Sequence, residues 1–149
     1  MSTEFYNRNW RMPRSINSNK VSNYSMSFDG SGQVITLPSS IDLGLNSSLS
    51  YWTNFTSPNV FIGESSYGSD YHIYSNGIDT YVKIGNPLAI FSGVAPTVGQ
   101  WHHIVFVRTG NSVEMYLNNV SQGVQTASFG STTTKFDAIG AKPNGANDI

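Results

Sequence analysis

Trp101-His-His-Ile-Val-Phe-Val-Arg108 is followed by Thr109-Gly-Asn111, then by Ser112-Val-Glu-Met-Tyr-Leu117 and Asn118-Asn119. This stretch decides the fold. Its second run alternates, with Val113, Met115 and Leu117 on one side, the period of a half-buried strand. Its first run carries four consecutive apolar residues, Ile104 to Val107, and is expected to be a central strand covered on both faces. Trp101 and Val105 are therefore expected in the core. Thr109-Gly-Asn111 turns the chain between the two runs. Asn118-Asn119 suits a tight hairpin, because Asn tolerates the left-handed backbone region that such turns use. Residues 120–125 return as a third strand.

Working outward, the same grammar repeats. Residues 24–28 alternate, with Tyr24, Met26 and Phe28 on one face, and Asp29-Gly-Ser-Gly32 is a turn signal. Residues 33–37 return, and Pro38 is expected to end that strand. In residues 48–55, Leu49, Tyr51, Thr53 and Phe55 lie opposite Trp52. Further strands are expected at 59–63, 70–74, 80–84, 88–91 and 135–139, with Ser75-Asn-Gly77 as a hairpin turn. No window holds apolar residues at helical spacing for three turns. Eleven to twelve short strands without a repeat period read as all-β: an antiparallel two-sheet β-sandwich.

Composition limits the function. Charged residues are only 11% of the 149, and the formal net charge is −1. That excludes a nucleic-acid binder of the basic kind. No apolar run reaches the ~18 residues of a membrane span, and residues 1–10 lack a signal-type apolar stretch. There is no cysteine, so thiol chemistry and disulfides are absent.

Residues 1–20 stand apart from residues 21–149, the sandwich domain. Arg8, Arg11, Arg14 and Lys20 are half of the eight basic residues, interleaved with Phe5, Tyr6 and Trp10. They form either a first strand along the domain or an anchoring arm for another subunit.

The hairpin at 101–119 resembles the signature hairpin of laminin G-like domains: Trp, a polar residue, His, alternating apolars, a Gly turn, then Val-x-Leu-Tyr-Val-Asp-Gly. Met26-Ser-Phe-Asp-Gly30 with Val34-Ile-Thr-Leu-Pro38 resembles the opening strands of that family, and Leu49-Ser-Tyr-Trp52 its Phe-Ser-Val-Trp strand. The resemblance covers about residues 22–140. It implies a jelly roll of the concanavalin A-like lectin/glucanase superfamily. Two departures are visible. Asn118-Asn119 replaces Asp-Gly, and nothing after Gly140 resembles the family's closing strand. Residues 24–28 would then lack a neighbour: the arm at 1–20 is expected to fold back there, the alternatives being a strand donated by another subunit or an open edge at which the isolated chain aggregates.

The superfamily includes glucanases, whose chemistry needs paired carboxylates on one face. Glu4, Glu64 and Glu114 are the only glutamates, and none has an Asp two residues on, so no enzyme activity is expected. His102 and His103 are adjacent, so in a strand they point to opposite faces and cannot share one metal ion. His103 is expected as a partly buried core residue. Calcium is the candidate cofactor, since relatives bind it, with Asp70 and Asp79 flanking one hairpin; the alternative is that both cap turns.

Sugars offer an apolar face and many hydroxyls, so they need aromatic platforms beside planar polar groups. The densest such stretch holds Tyr67, Tyr71, His72, Tyr74 and Asn76. It is read either as a glycan-binding groove or as cross-strand aromatic packing. The expected function is a non-catalytic, lectin-like module for a glycan or glycoprotein partner. The alternative is a virion structural protein, a decoration or tail-fibre module contacting other virion subunits. The extracellular space or a virion surface is the expected location, without nucleic acid or membrane insertion.

Overall fold

The computed structural model describes residues 26–27, 34–54, 56, 60–63, 71–85 and 87–140, with the backbone alone at Val60, Phe61, Tyr71 and His72. Among these residues ten strands are formed: β1 Ile35–Asp42, β2 Asn46–Thr53, β3 Val60–Gly63, β4 Tyr71–Ser75, β5 Thr80–Ile84, β6 Leu88–Phe91, β7 His102–Thr109, β8 Ser112–Leu117, β9 Val120–Thr126 and β10 Lys135–Ile139. They build two antiparallel sheets, one in the order β1-β10-β3-β4-β5-β6 and the other β2-β7-β8-β9. No helix among the described residues is long and apolar enough to cross a membrane.

The alternating sequences explain why two layers form. Ile62, Ile73, Val82, Ile84, Ala89 and Phe91 face inward from the larger sheet. Ile104, Phe106, Val113 and Met115 face them from the smaller one, with Phe129 beside them. The Phe91 and Phe106 rings meet across the layers at 6.2 Å, tilted by 56°. Burying side chains of this size contributes about 1.5–3 kcal/mol each.

The tight hairpin expected at Asn118-Asn119 is present. Both residues have positive φ, 51° and 67°. The Asn118 side chain explains the choice further. Its Oδ1 accepts the His103 N–H at 2.9 Å, and its Nδ2 lies 3.0 Å from Nδ1 of His102. The amide therefore donates to the ring at Nδ1, and at the other edge Nε2 lies 3.0 Å from the Thr97 N and 3.1 Å from the Thr97 carbonyl, so both ring nitrogens are engaged.

Arg108 is 4% exposed, and a buried cation requires partners. Its Nε donates to the Gly110 carbonyl at 2.9 Å, Nη1 to Thr134 Oγ1 at 2.9 Å and Nη2 to the Thr132 carbonyl at 2.7 Å. Its guanidinium also lies 5.2 Å from the centre of the Phe129 ring. These contacts pin the crossover at 127–134, which carries the chain from β9 in one sheet to β10 in the other.

Four expectations need correction. Trp101 is not core: it is 53% exposed and precedes β7. β7 is central in its sheet but covered on one face only, with His102, Ile104, Phe106 and Arg108 buried and the residues between them half-buried. An apolar run of four fits either parity, and pairing with β2 and β8 selected the even one; Val105 consequently faces outward. By the same parity His102 is the buried histidine, and His103 lies outside. Finally, β1 runs through Pro38 to Asp42. The missing N–H is tolerated because β1 is an edge strand among the described residues and its pairing with β10 is irregular between Thr36 and Ile41.

Of the strand expected at 24–28, only Met26 and Ser27 lie among the described residues. Neither is in a strand, and Met26 is 69% exposed. The arm at 1–20 and everything after Gly140 lie outside the described residues.

Candidate functional site

The residues singled out in the sequence centre on the β4–β5 hairpin. Tyr67 and Asp70 lie outside the described residues. Tyr71 pairs with Ile84 and His72 with Lys83, as backbone register. Tyr74 is directly opposite Tyr81, and the two rings stack in parallel at 4.4 Å, 6° apart. Burial raises the Tyr74 hydroxyl above its ordinary pKa. Burial also raises that of Tyr81, helped by the hydrogen bond and charge of Asp79. Ile90, the next residue across on β6, is 40% exposed and completes this row.

The polar groups at the end of the row are occupied by the turn. Asn76 Oδ1 accepts the N–H groups of Ile78 and Asp79 at 2.9 and 2.7 Å, and its Nδ2 donates to the Tyr81 hydroxyl at 2.9 Å. Asp79 Oδ1 accepts the Gly93 N–H at 2.8 Å, and Oδ2 accepts the Tyr81 hydroxyl at 3.1 Å. Asn76 and Asp79 thus hold Tyr81 and tie the hairpin to the loop after β6. No group of three His, Asp or Glu side chains among the described residues could hold a metal ion. Each face of the Tyr74–Tyr81 pair that meets the other is closed to a ligand.

A second aromatic surface lies on the opposite sheet. β2 and β7 run in register over the whole length of β2, which places Trp52 opposite His103 and Ser50 opposite Val105. The Trp52 indole stacks on the His103 imidazole at 5.0 Å and 24°. Ser50 Oγ lies 2.8 Å from His103 Nε2 and fixes the ring from its edge. Trp52 remains 65% exposed, so the imidazole backs the indole while much of its surface stays open. Trp101 is exposed at the same end, one residue before the His102–Thr53 pair. Sequence alternation put Trp52 opposite Leu49 and Tyr51 and so signalled its outward face. Its partner His103 is far away in sequence, and only the register of β2 on β7 brings the two together.

Further rows on this outer face are Ser50, Val105, Tyr116 and Ser121, then Ser48, Val107, Glu114 and Val124, then Asn46, Thr109, Ser112 and Thr126. Glu114 Oε1 accepts the Ser121 hydroxyl at 2.8 Å. The hydrogen bond to Glu114 raises the Tyr116 hydroxyl above its ordinary pKa, with burial adding to it.

An antiparallel sandwich with one open, aromatic-bearing sheet defines a β-sandwich of lectin-like architecture. A laminin G-type family model, described as the concanavalin A-like lectin/glucanases superfamily, matches residues 29–149, and the chain belongs to that superfamily. Among solved structures, domains LG4-5 of the mouse laminin alpha1 chain are similar, with a TM-score of 0.54 and 17% identity over 77% of this chain and 34% of that one. Domain 4 of an extracellular GH43 arabinanase from Geobacillus stearothermophilus, in complex with arabinotriose, matches with a TM-score of 0.40 and 23% identity over 66% of this chain and 53% of that one. The chain thus spans about a third of the laminin fragment and about half of the arabinanase domain. No curated protein matches it.

Proposed function

We propose that this domain is a non-catalytic carbohydrate-recognition module, acting outside the cell, and that its contact surface is the open face of the β2-β7-β8-β9 sheet. One observation carries the reading: Trp52 presents an exposed indole held in place by His103 and Ser50. An aromatic ring that is rigid before binding loses little entropy on contact, and such rings dominate recognition surfaces. The tyrosine row on the other sheet is the competing site, and its rings already stack on one another. The acids support a non-catalytic role. The four among the described residues, Asp42, Asp79, Glu114 and Asp137, lie on different elements, and the carboxylates of Asp42, Asp79 and Glu114 accept short hydrogen bonds from neighbouring groups.

A glycan array followed by calorimetry tests this. Trp52→Ala is expected to weaken the best ligand at least about tenfold, with thermal stability nearly unchanged. Tyr74→Ala is expected to leave affinity within about twofold of the wild type. Loss of binding in Tyr74→Ala but not in Trp52→Ala moves the site to the hairpin. An array without any bound glycan rejects the reading and favours the virion structural role, which the basic arm suggested.

A further inference from the structure

Resting on the carbohydrate reading, the charge distribution narrows the ligand: we infer that the Trp52 face takes uncharged saccharides with an apolar ring face, and rejects sulfated or uronate-bearing ones. The outward positions of the four strands are Asn46, Ser48, Ser50 and Trp52 on β2, His103, Val105, Val107 and Thr109 on β7, Ser112, Glu114 and Tyr116 on β8, and Ser121, Val124 and Thr126 on β9. Neither Lys nor Arg is among them.

Seven side chains among the described residues are Asp, Glu, Lys or Arg. Only Arg108 and Glu114 stand on this sheet. Arg108 points inward, is buried, and donates to Gly110, Thr132 and Thr134. Lys83 and Lys135 belong to the other sheet. Among the described residues, the one acidic or basic side chain on the outer side of this sheet is therefore Glu114, and a carboxylate there repels an anion. Recognition of sulfate or carboxylate groups uses Arg forks or Lys point charges, and the described residues of this face supply neither.

What the face does supply is chemistry for a neutral sugar. Trp52 offers a π-surface to the C–H side of a ring. Ser48, Ser50, Tyr116, Ser121 and Thr126 bring uncharged hydroxyls to this face; Ser50 bonds His103, Tyr116 and Ser121 bond Glu114 and Thr126 pairs with Ser112, and each oxygen has two lone pairs with which to accept from a sugar hydroxyl. Val105, Val107 and Val124 leave apolar ground between them, and Val124 is 56% exposed. This combination gives a site whose affinity has little Coulombic content, so added salt should hardly change it.

The test measures the purified chain against two polysaccharide panels at pH 8, at 20 and 300 mM NaCl. The neutral panel is linear β-glucan, mannan, arabinan and galactan. The anionic panel is heparin, chondroitin sulfate and polygalacturonate. The expected result is binding in the neutral panel only, changing by less than about twofold between the two salt concentrations and weakened at least about tenfold by Trp52→Ala. Glu114→Lys is expected to admit heparin at low salt. Salt-sensitive binding of heparin or polygalacturonate by the wild type overturns the inference and leaves the carbohydrate reading standing. Failure of both panels overturns the two together.

Discussion

Asn118 shows how much one side chain can carry in a small sandwich. It occupies a left-handed turn position, bonds the His103 amide and donates to the buried His102 ring. Asn118→Ala removes two hydrogen bonds and puts a poorly suited residue at positive φ. Its expected cost is about 1–3 kcal/mol, read as a lower urea midpoint at constant slope. Asp42 makes a complementary case at the surface. The Gly44 N–H at 2.8 Å, the Thr133 hydroxyl at 2.9 Å and the Lys135 ammonium at 3.9 Å hold its pKa below the ordinary 3.8. A depressed folded-state pKa contributes stability above the unfolded value, and that contribution fades as pH falls below about 3.8. Asp42→Asn should therefore show a shallower loss of thermal stability below pH 4 than the wild type. Identical acid profiles would show that the Gly44 turn does not depend on the charge.

Among the elements, β7 is the decisive strand. Phe106 is 4% exposed between the sheets, whereas Trp101 lies outside. Phe106→Ala is expected to cost about 3–5 kcal/mol and Trp101→Ala less than about 1 kcal/mol, as measured by urea denaturation. Comparable losses would contradict the parity described for this strand. That parity also marks the limit of what the sequence could reveal. β5, β6, β8 and β10 are legible to the residue, because each alternates or is bracketed by turn residues. β7 is legible as a strand, but Ile104 to Val107 are apolar at both parities, so its inward face depends on neighbours distant in sequence. The sheet assignment of β10 is equally non-local. The same limit governs the candidate site. Trp52 could be seen to face away from Leu49 and Tyr51, yet its stack on His103 exists only through strand pairing. The hairpin aromatics were conspicuous because they cluster in sequence, and clustering does not reveal that Tyr74 and Tyr81 close each other's faces.

For the whole molecule, both sheets contribute to one core, and Phe91 and Phe106 touch across it. Neither layer can keep its apolar face covered without the other. Urea unfolding is accordingly expected to be a single transition, coincident by far-ultraviolet circular dichroism and tryptophan fluorescence. Separate midpoints would mean that one sheet survives alone. The order of the larger sheet has a consequence in time. β10 lies between β1 and β3, although it is the last of the ten described strands. A ribosome delivers β1 and β3 well before the strand that must lie between them. Until residue 139 has left the exit tunnel, the first strand has a vacant slot beside it, and the nascent chain must wait without closing that sheet. The seam that joins β1 to the rest of its sheet is therefore the last to be sewn, and it waits for a strand made about a hundred residues later.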